Sequence, residues 1–257
     1  MSFLRSIILS FIILFPFSIF AKSADILIKN ATVVTSTEIG VLDETDVLIQ
    51  NGKISLIGQN INNDEAMIIE AKGRVLTPGL IAPVTNLGLI EIELEAETRD
   101  DRTDHFSAGF SISSAFNPSS TLIPYNRASG ITSGIVFPSS GRGDIFSGLG
   151  SAFKTHGEID TKSIATDIAM VMQMGGNRDS RASNFLELED AFIKAKEFKK
   201  SRGMIQRGGF FDTGEYSERD LEALSGLMEE GKPLIVKTNR ASDMLRMIEF
   251  SQKYDLD

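Results

Sequence analysis

The residues that could carry chemistry in this chain are few, and their types exclude several common mechanisms. Its 257 residues include no cysteine and two histidines, His105 and His156. The chain therefore has no disulfide, thiolate metal site or cysteine nucleophile. Two histidines cannot supply a four-histidine site, and neither has a partner at ligand spacing. Residues 91–106 are strongly acidic, and we expect a solvated loop or face there because the spacing of a calcium-binding loop is missing.

A short apolar segment places two side chains at strand spacing. Residues 73–88 read GRVLTPGLIAPVTNLG, so Val84 and Asn86 are separated by one residue. Side chains alternate along a strand with a period of two, and these two therefore share a face. Valine has no lone pair, and an asparagine carbonyl oxygen is a poor ligand for zinc. An alternative interpretation is a turn that leads into any buried strand.

This segment resembles the first barrel strand of the metal-dependent amidohydrolases. In that family the strand reads Pro-Gly-Leu-Ile-Asp-x-His-x-His-Leu-Gly, and its two histidines hold a divalent ion that activates water. The frame is retained here over 78–81 and 87–88. The aspartate position holds Ala82, and the two histidine positions hold Val84 and Asn86. The resemblance thus predicts the fold, but the residues that usually bind the metal are replaced in this strand.

A second segment resembles the imidazolonepropionase-like subgroup of the same superfamily. There the strand reads Val-His-x-Asn-Arg-Ala-x-Asp-Ile-Leu, and its histidine binds metal. Residues 236–245 read VKTNRASDML, with Lys237 at the histidine position. Three implied ligand positions therefore hold Val84, Asn86 and Lys237. We predict no metal cofactor at these positions, although zinc is typical of the family.

The resemblance implies a barrel mouth where substrate-binding candidates gather: Asn86, Lys237, Asn239 and Arg240. Lys237 has two interpretations. Loss of water around the amine would favour its neutral form, making it a base or a Schiff-base nucleophile. Alternatively, its charge occupies the place of the metal cation and pairs with a nearby carboxylate. We favour the second interpretation, because structural charges outnumber catalytic ones.

The pattern before residue 78 predicts a small β unit. Residues 25–77 contain short β-branched and apolar runs, two of which flank Asn51-Gly52, a pair typical of two-residue hairpins. We assign 24–77 to the N-terminal part of the β-sandwich that flanks the barrel in the resembled family.

The pattern from residue 78 onward predicts an α/β fold. Helical periodicity begins at Asn184, which with Glu187 suggests a capping box. A second helix is predicted to start at Ser217 and end at Gly231, and Ser242 is predicted to cap a third. Strands alternate with these helices, which favours βα units and a parallel sheet. A glycine-rich loop is predicted at 141–150, either on the substrate side or as a simple turn.

The length from residue 78 onward is short for the barrel that the resemblance implies. A (β/α)8 TIM-type barrel needs about 250 residues. We therefore assign 78–257 to the first portion of such a barrel and expect the chain to be truncated.

Residues 1–23 are typical of a secretory signal peptide. Arg5 precedes an apolar run over 7–20, and Ala21 and Ser23 are small residues suited to cleavage. We expect cleavage after Ser23, with Ala21 as the near alternative, and an uncleaved anchor is the other interpretation. The prediction is a periplasmic or secreted protein with no stable membrane insertion after cleavage. The net charge of −9 argues against nucleic acid as a partner.

The resemblance implies an amidohydrolase-family hydrolase that acts on carbon–nitrogen bonds other than peptide bonds, with a degenerate metal site. The alternative is an exported non-catalytic relative that serves as a binding protein or as a partner subunit of a homo- or hetero-oligomer. Both predict a small-molecule substrate or ligand.

Overall fold

The computed structural model describes residues 24–141, 144–176 and 179–256. The predicted signal peptide at 1–23 therefore lies outside the described residues. The chain divides between Pro78 and Gly79 into two units. No helix among the described residues is long and apolar enough to cross a membrane.

The first unit is a five-stranded sheet. Its strands are β1 (Ile26–Val34), β2 (Val41–Gln50), β3 (Lys53–Gly58), β4 (Met67–Glu70) and β5 (Val75–Leu76). Their order is β3-β2-β1-β4, and β5 also pairs with β1. The predicted hairpin between β2 and β3 is confirmed: Asn51 and Gly52 both have positive φ, at 50° and 73°, as this two-residue turn requires.

The second unit contains a mixed sheet in the order β10-β9-β8-β7-β6. Its strands are β6 (Leu80–Thr85), β7 (Ile131–Val136), β8 (Phe146–Lys154), β9 (Ala165–Gln173) and β10 (Leu234–Lys237). β6 is parallel to β7 and β9 to β10, whereas β8 is antiparallel to both of its neighbours. The carboxyl ends of β6, β7, β9 and β10 therefore lie along one edge of the sheet.

Strand β8 corrects two predictions, the purely parallel sheet and the glycine-rich loop at 141–150. Gly148 and Gly150 lie inside β8. A Cβ on Gly148 would lie 2.3 Å from the Phe110 carbonyl oxygen, and a Cβ on Gly150 would lie 2.2 Å from the Phe137 ring. Because these contacts leave no room for a side chain, the two glycines serve close packing within the sheet.

The described residues of the second unit form four α-helices: α1 (Leu122–Ala128), α2 (Arg181–Ile205), α3 (Glu218–Glu230) and α4 (Ala241–Tyr254). The predicted limits of α3 are confirmed by a capping box between Ser217 and Asp220 and by Gly231 at φ 62°. The predicted cap at Asn184 is wrong, because Ser180 caps α2 and Asn184 is buried one turn inside it. The predicted cap at Ser242 is also wrong, since α4 begins after Arg240.

The main core of the second unit joins these helices to the sheet. Met170 and Met172 of β9 belong to one buried cluster with apolar side chains of α2, α3 and α4. Phe192 of α2 meets Phe250 of α4 edge to face, with ring centroids 5.1 Å apart. This packing fixes the helices against the sheet, so the strand ends that carry the candidate residues have a defined geometry.

Candidate functional site

The ends of three parallel strands bring the candidate residues together. Val84 lies near the end of β6, Asn86 follows that strand, and Lys237 is the last residue of β10. The Phe137 amide donates a hydrogen bond of 2.8 Å to the Thr85 carbonyl, which ties the end of β7 to β6. Beside β10, the Met174 amide donates to the Lys237 carbonyl at 2.9 Å.

These strand ends border an open cavity of about 200 Å³, which we call the strand-end cavity, and Val84, Asn86 and Lys237 are exposed at it. Val84, Asn86 and Lys237, separated by up to 153 positions of sequence numbering, all lie in its wall. The described residues that line it are Val84, Thr85, Asn86, Phe137, Ser139 and Lys237. Asn239 and Arg240 are exposed and lie outside this lining. The structure thus gathers two of the four substrate-binding candidates.

The side chains of the strand-end cavity do not fit a divalent metal. Val84 presents methyl groups, Asn86 presents an amide, and the Lys237 ammonium repels a cation. No group of three or more histidine, aspartate or glutamate side chains among the described residues could hold a metal ion. His105 and His156 are exposed, and His156 Nδ1 accepts a hydrogen bond of 3.1 Å from the Glu158 amide.

Lys237 pairs with no carboxylate within the part of the chain that the structure describes, although its sequence position predicts such a partner. It takes part in none of the ion pairs found within the described ranges. The predicted pairing with a nearby carboxylate is therefore not seen there. Lysine Nζ has three hydrogens to donate and no acceptor. The cavity wall consequently contains a cationic donor suited to an oxygen atom of a ligand.

A buried ion pair supports Ser139 in the cavity wall. The Ser139 amide donates to the Asp101 carbonyl at 2.7 Å, and the Asp101 carboxylate accepts bonds of 3.1 and 3.0 Å from Arg99. Burial by itself would raise the pKa of Asp101, but hydrogen bonds from Arg99 and Ser139 outweigh it and lower that pKa. Asp101 thus stays ionised and holds the segment after β7.

A second charged cluster fixes the segment that follows Lys237. Arg181, the first residue of α2, donates from Nε to Asp243 Oδ2 at 2.8 Å and from Nη2 to Asn239 Oδ1 at 3.2 Å. Asp243 is buried in the first turn of α4. The resemblance had suggested Asn239 for substrate binding, but its carbonyl oxygen is occupied by Arg181. Neither Arg181 nor Ser139 was among the sequence candidates, because no spacing marks them.

Comparison with known proteins gives the family of this chain. No family model matches it. D-hydantoinase of Geobacillus stearothermophilus is 39% identical over 104 residues, which is 38% of this chain and 19% of the relative. Dihydroorotase of Halalkalibacterium halodurans is 46% identical over 55 residues, or 21% of this chain and 12% of the relative.

Among solved structures, an amidohydrolase from Thermotoga maritima matches with a TM-score of 0.75 and 25% identity, over 90% of this chain and 63% of that one. This chain belongs to the amidohydrolase superfamily. It spans less than two thirds of the length of these relatives. The predicted fold class, an incomplete α/β barrel with an N-terminal β unit, is confirmed by the same match. The imidazolonepropionase-like subgroup stays a prediction.

A separate acidic cluster of this amidohydrolase-type unit lies outside the cavity lining. Burial and the nearby charge of Asp144 raise the pKa of Glu187 in α2 to about 7. Burial also raises the pKa of Asp144, against an opposing hydrogen bond from Ser107. Burial and the charge of Glu187 raise the pKa of Tyr216 to about 12. Near β8, α2 and α3, the pKa values of these three side chains are therefore raised together.

Proposed function

We propose that this amidohydrolase-superfamily protein hydrolyses a carbon–nitrogen bond of a small cyclic or peptide-like amide without the usual metal ligands. The supporting observation is that Val84, Asn86 and Lys237 line one cavity, with the Lys237 ammonium free of an ion pair among the described residues. The relatives named D-hydantoinase and dihydroorotase suggest cyclic amides as the first compounds to test.

The proposed role of Lys237 follows from the charge that develops during amide hydrolysis. When water adds to the amide carbon, negative charge grows on the former carbonyl oxygen. A positioned ammonium stabilises that charge more strongly than it stabilises the neutral carbonyl. Asn86 adds an amide donor beside it, whereas Val84 and Phe137 provide an apolar wall for a ring. These residues suit an oxygen-bearing ring compound, and a carboxylate on it would strengthen the bond to Lys237.

A second candidate function is non-catalytic binding of the same class of compound by an exported protein. The described residues that line the strand-end cavity include no carboxylate and no imidazole. Among the described lining residues, Lys237 is therefore the side chain that could act as a base after losing a proton. This composition favours a binding role, and product formation separates the two candidates.

The test is calorimetric titration of the purified chain with dihydroorotate and with hydantoin, followed by assay for ring-opened product. We expect Lys237→Met to weaken dihydroorotate binding at least about ten-fold, the size of a lost charge-assisted hydrogen bond. Lys232→Met is the matched control, because Lys232 lies in the same segment and pairs with Glu230 at 3.0 Å. Equal affinities for the wild type and Lys237→Met would refute the proposal. Binding without product would select the non-catalytic alternative.

A further inference from the structure

One guanidinium links three segments at the carboxyl ends of β9 and β10. Arg181 donates to Asp243 of α4 and to Asn239 in the connection between β10 and α4. The segment after β9 approaches the same group: a Cβ on Gly175 would lie 2.7 Å from Arg181 Nη2. Gly175 also has φ 75°, a backbone conformation that favours glycine.

The place of Arg181 in α2 is explained by these contacts and not by helix stability. It occupies the first helical position, after the N-cap Ser180. A cation there faces the positive end of the helix dipole, which is unfavourable. By contrast, Asp243 is 4% exposed, and a buried carboxylate without a partner is strongly destabilising. The ion pair between them therefore has a structural purpose outside α2.

The linked connection begins directly after Lys237. Only Thr238, Asn239 and Arg240 separate Lys237 from α4. Asn239 is held by Arg181, and Thr238 Oγ1 lies 3.5 Å from Asp243 Oδ2. Of these three residues, two thus contact the same pair of charges. The backbone that leaves Lys237 consequently has little freedom to move relative to β10.

We propose that Arg181 is a positioning residue for Lys237: its bonds to Asp243 and Asn239 fix the 238–240 connection and thereby the location of the Lys237 ammonium in the strand-end cavity. This inference rests on the proposed function for its ligand-binding consequence, but the position of Lys237 can be measured without a ligand. It also explains why Asn239 and Asp243 match the family pattern although Lys237 does not. The contacts of Asn239 and Asp243 with Arg181 determine the shape of the 238–240 connection, and this does not depend on which residue ends β10.

The test is NMR of the full chain after reductive ¹³C-methylation of its lysines, with the Lys237 signal assigned by Lys237→Arg. Arg181→Lys retains a charge for Asp243 but cannot reproduce the two-armed contact. We expect it to shift the free-protein Lys237 signal and to weaken dihydroorotate binding about ten-fold, since small misplacements of a binding group are costly. The double variant Arg181→Gln/Asp243→Asn removes both charges together and avoids an unpaired buried carboxylate.

The control is Arg202→Gln in the same helix, because Arg202 pairs with Glu229 at 2.7 Å and does not contact the 238–240 connection. We expect it to leave the Lys237 signal unchanged. The inference is overturned if both Arg181 variants fold and their free-protein Lys237 signal matches that of the wild type. If adding dihydroorotate does not change the Lys237 signal of the wild type, that result contradicts the proposed function alone. The role of Arg181 is still tested by comparing the Lys237 signals of the ligand-free proteins.

Discussion

Replacing Glu187 with glutamine should change how stability depends on pH. The pKa of Glu187 is raised from 4.5 to about 7 by burial and by the charges of Asp144, Asp179 and Glu215. A raised carboxyl pKa means that the folded state binds the proton more tightly than the unfolded state. The stabilisation by this proton is therefore complete below the unfolded pKa and is lost as pH rises through about 7.

The magnitude follows from the size of the shift. Raising a pKa from 4.5 to about 7 corresponds to about 3 kcal/mol, at about 1.36 kcal/mol for each unit. Most of this change falls between about pH 5 and pH 8.5, where we expect roughly 2.5 kcal/mol. Glu187→Gln cannot titrate, so its stability relative to the wild type should increase by that amount over the interval.

Urea unfolding followed by circular dichroism at both pH values measures this difference directly. Glu222→Gln is the matched control, since Glu222 is an exposed glutamate of the neighbouring helix α3. The control should follow the pH dependence of the wild type. If Glu187→Gln also follows it, the partly buried acidic cluster of Glu187 and Asp144 does not titrate as argued.

Two further substitutions test the fold around the candidate site. Gly148→Ala should destabilise the second unit by roughly 2 kcal/mol or more, because the added Cβ meets the Phe110 carbonyl oxygen and the φ angle of Gly148 is 122°. Urea unfolding measures this loss of stability. An unchanged stability would contradict the described path of β8. Ser217→Ala should cost about 1 kcal/mol through loss of the α3 capping box, whereas Ser242→Ala, at the wrongly predicted cap, should stay near the wild-type unfolding midpoint.

Local sequence rules predicted those parts of the fold that local geometry determines. Asn51-Gly52 and the Ser217–Gly231 limits depend on a few adjacent residues, and both are as expected. The direction of β8 depends instead on pairing with β7 and β9, which no short window contains. Gly148 and Gly150 were assigned to a loop for the same reason, since their tight contacts come from Phe110 and Phe137.

The residues of the candidate site were likewise predicted only in part from the sequence. Family resemblance indicated Val84, Asn86 and Lys237, and the parallel strands bring them to one cavity. The residues that hold this cavity in shape were not predicted. Arg181 reaches Asp243 across 62 positions of sequence, and Asp101 supports Ser139 from a segment interpreted as solvated acidic loop. Such partners are defined by the tertiary structure, and their individual residue types do not reveal them.

The most direct test of a ligand site without the usual metal is elemental analysis of the protein, purified without chelators or affinity-tag metal. Val84, Asn86 and Lys237 line the strand-end cavity with methyl groups, an amide and an ammonium, so we predict less than about a tenth of an equivalent of zinc, iron or manganese. A stoichiometric content of any of these metals would contradict the account, because the side chains assigned to this cavity do not fit a divalent metal.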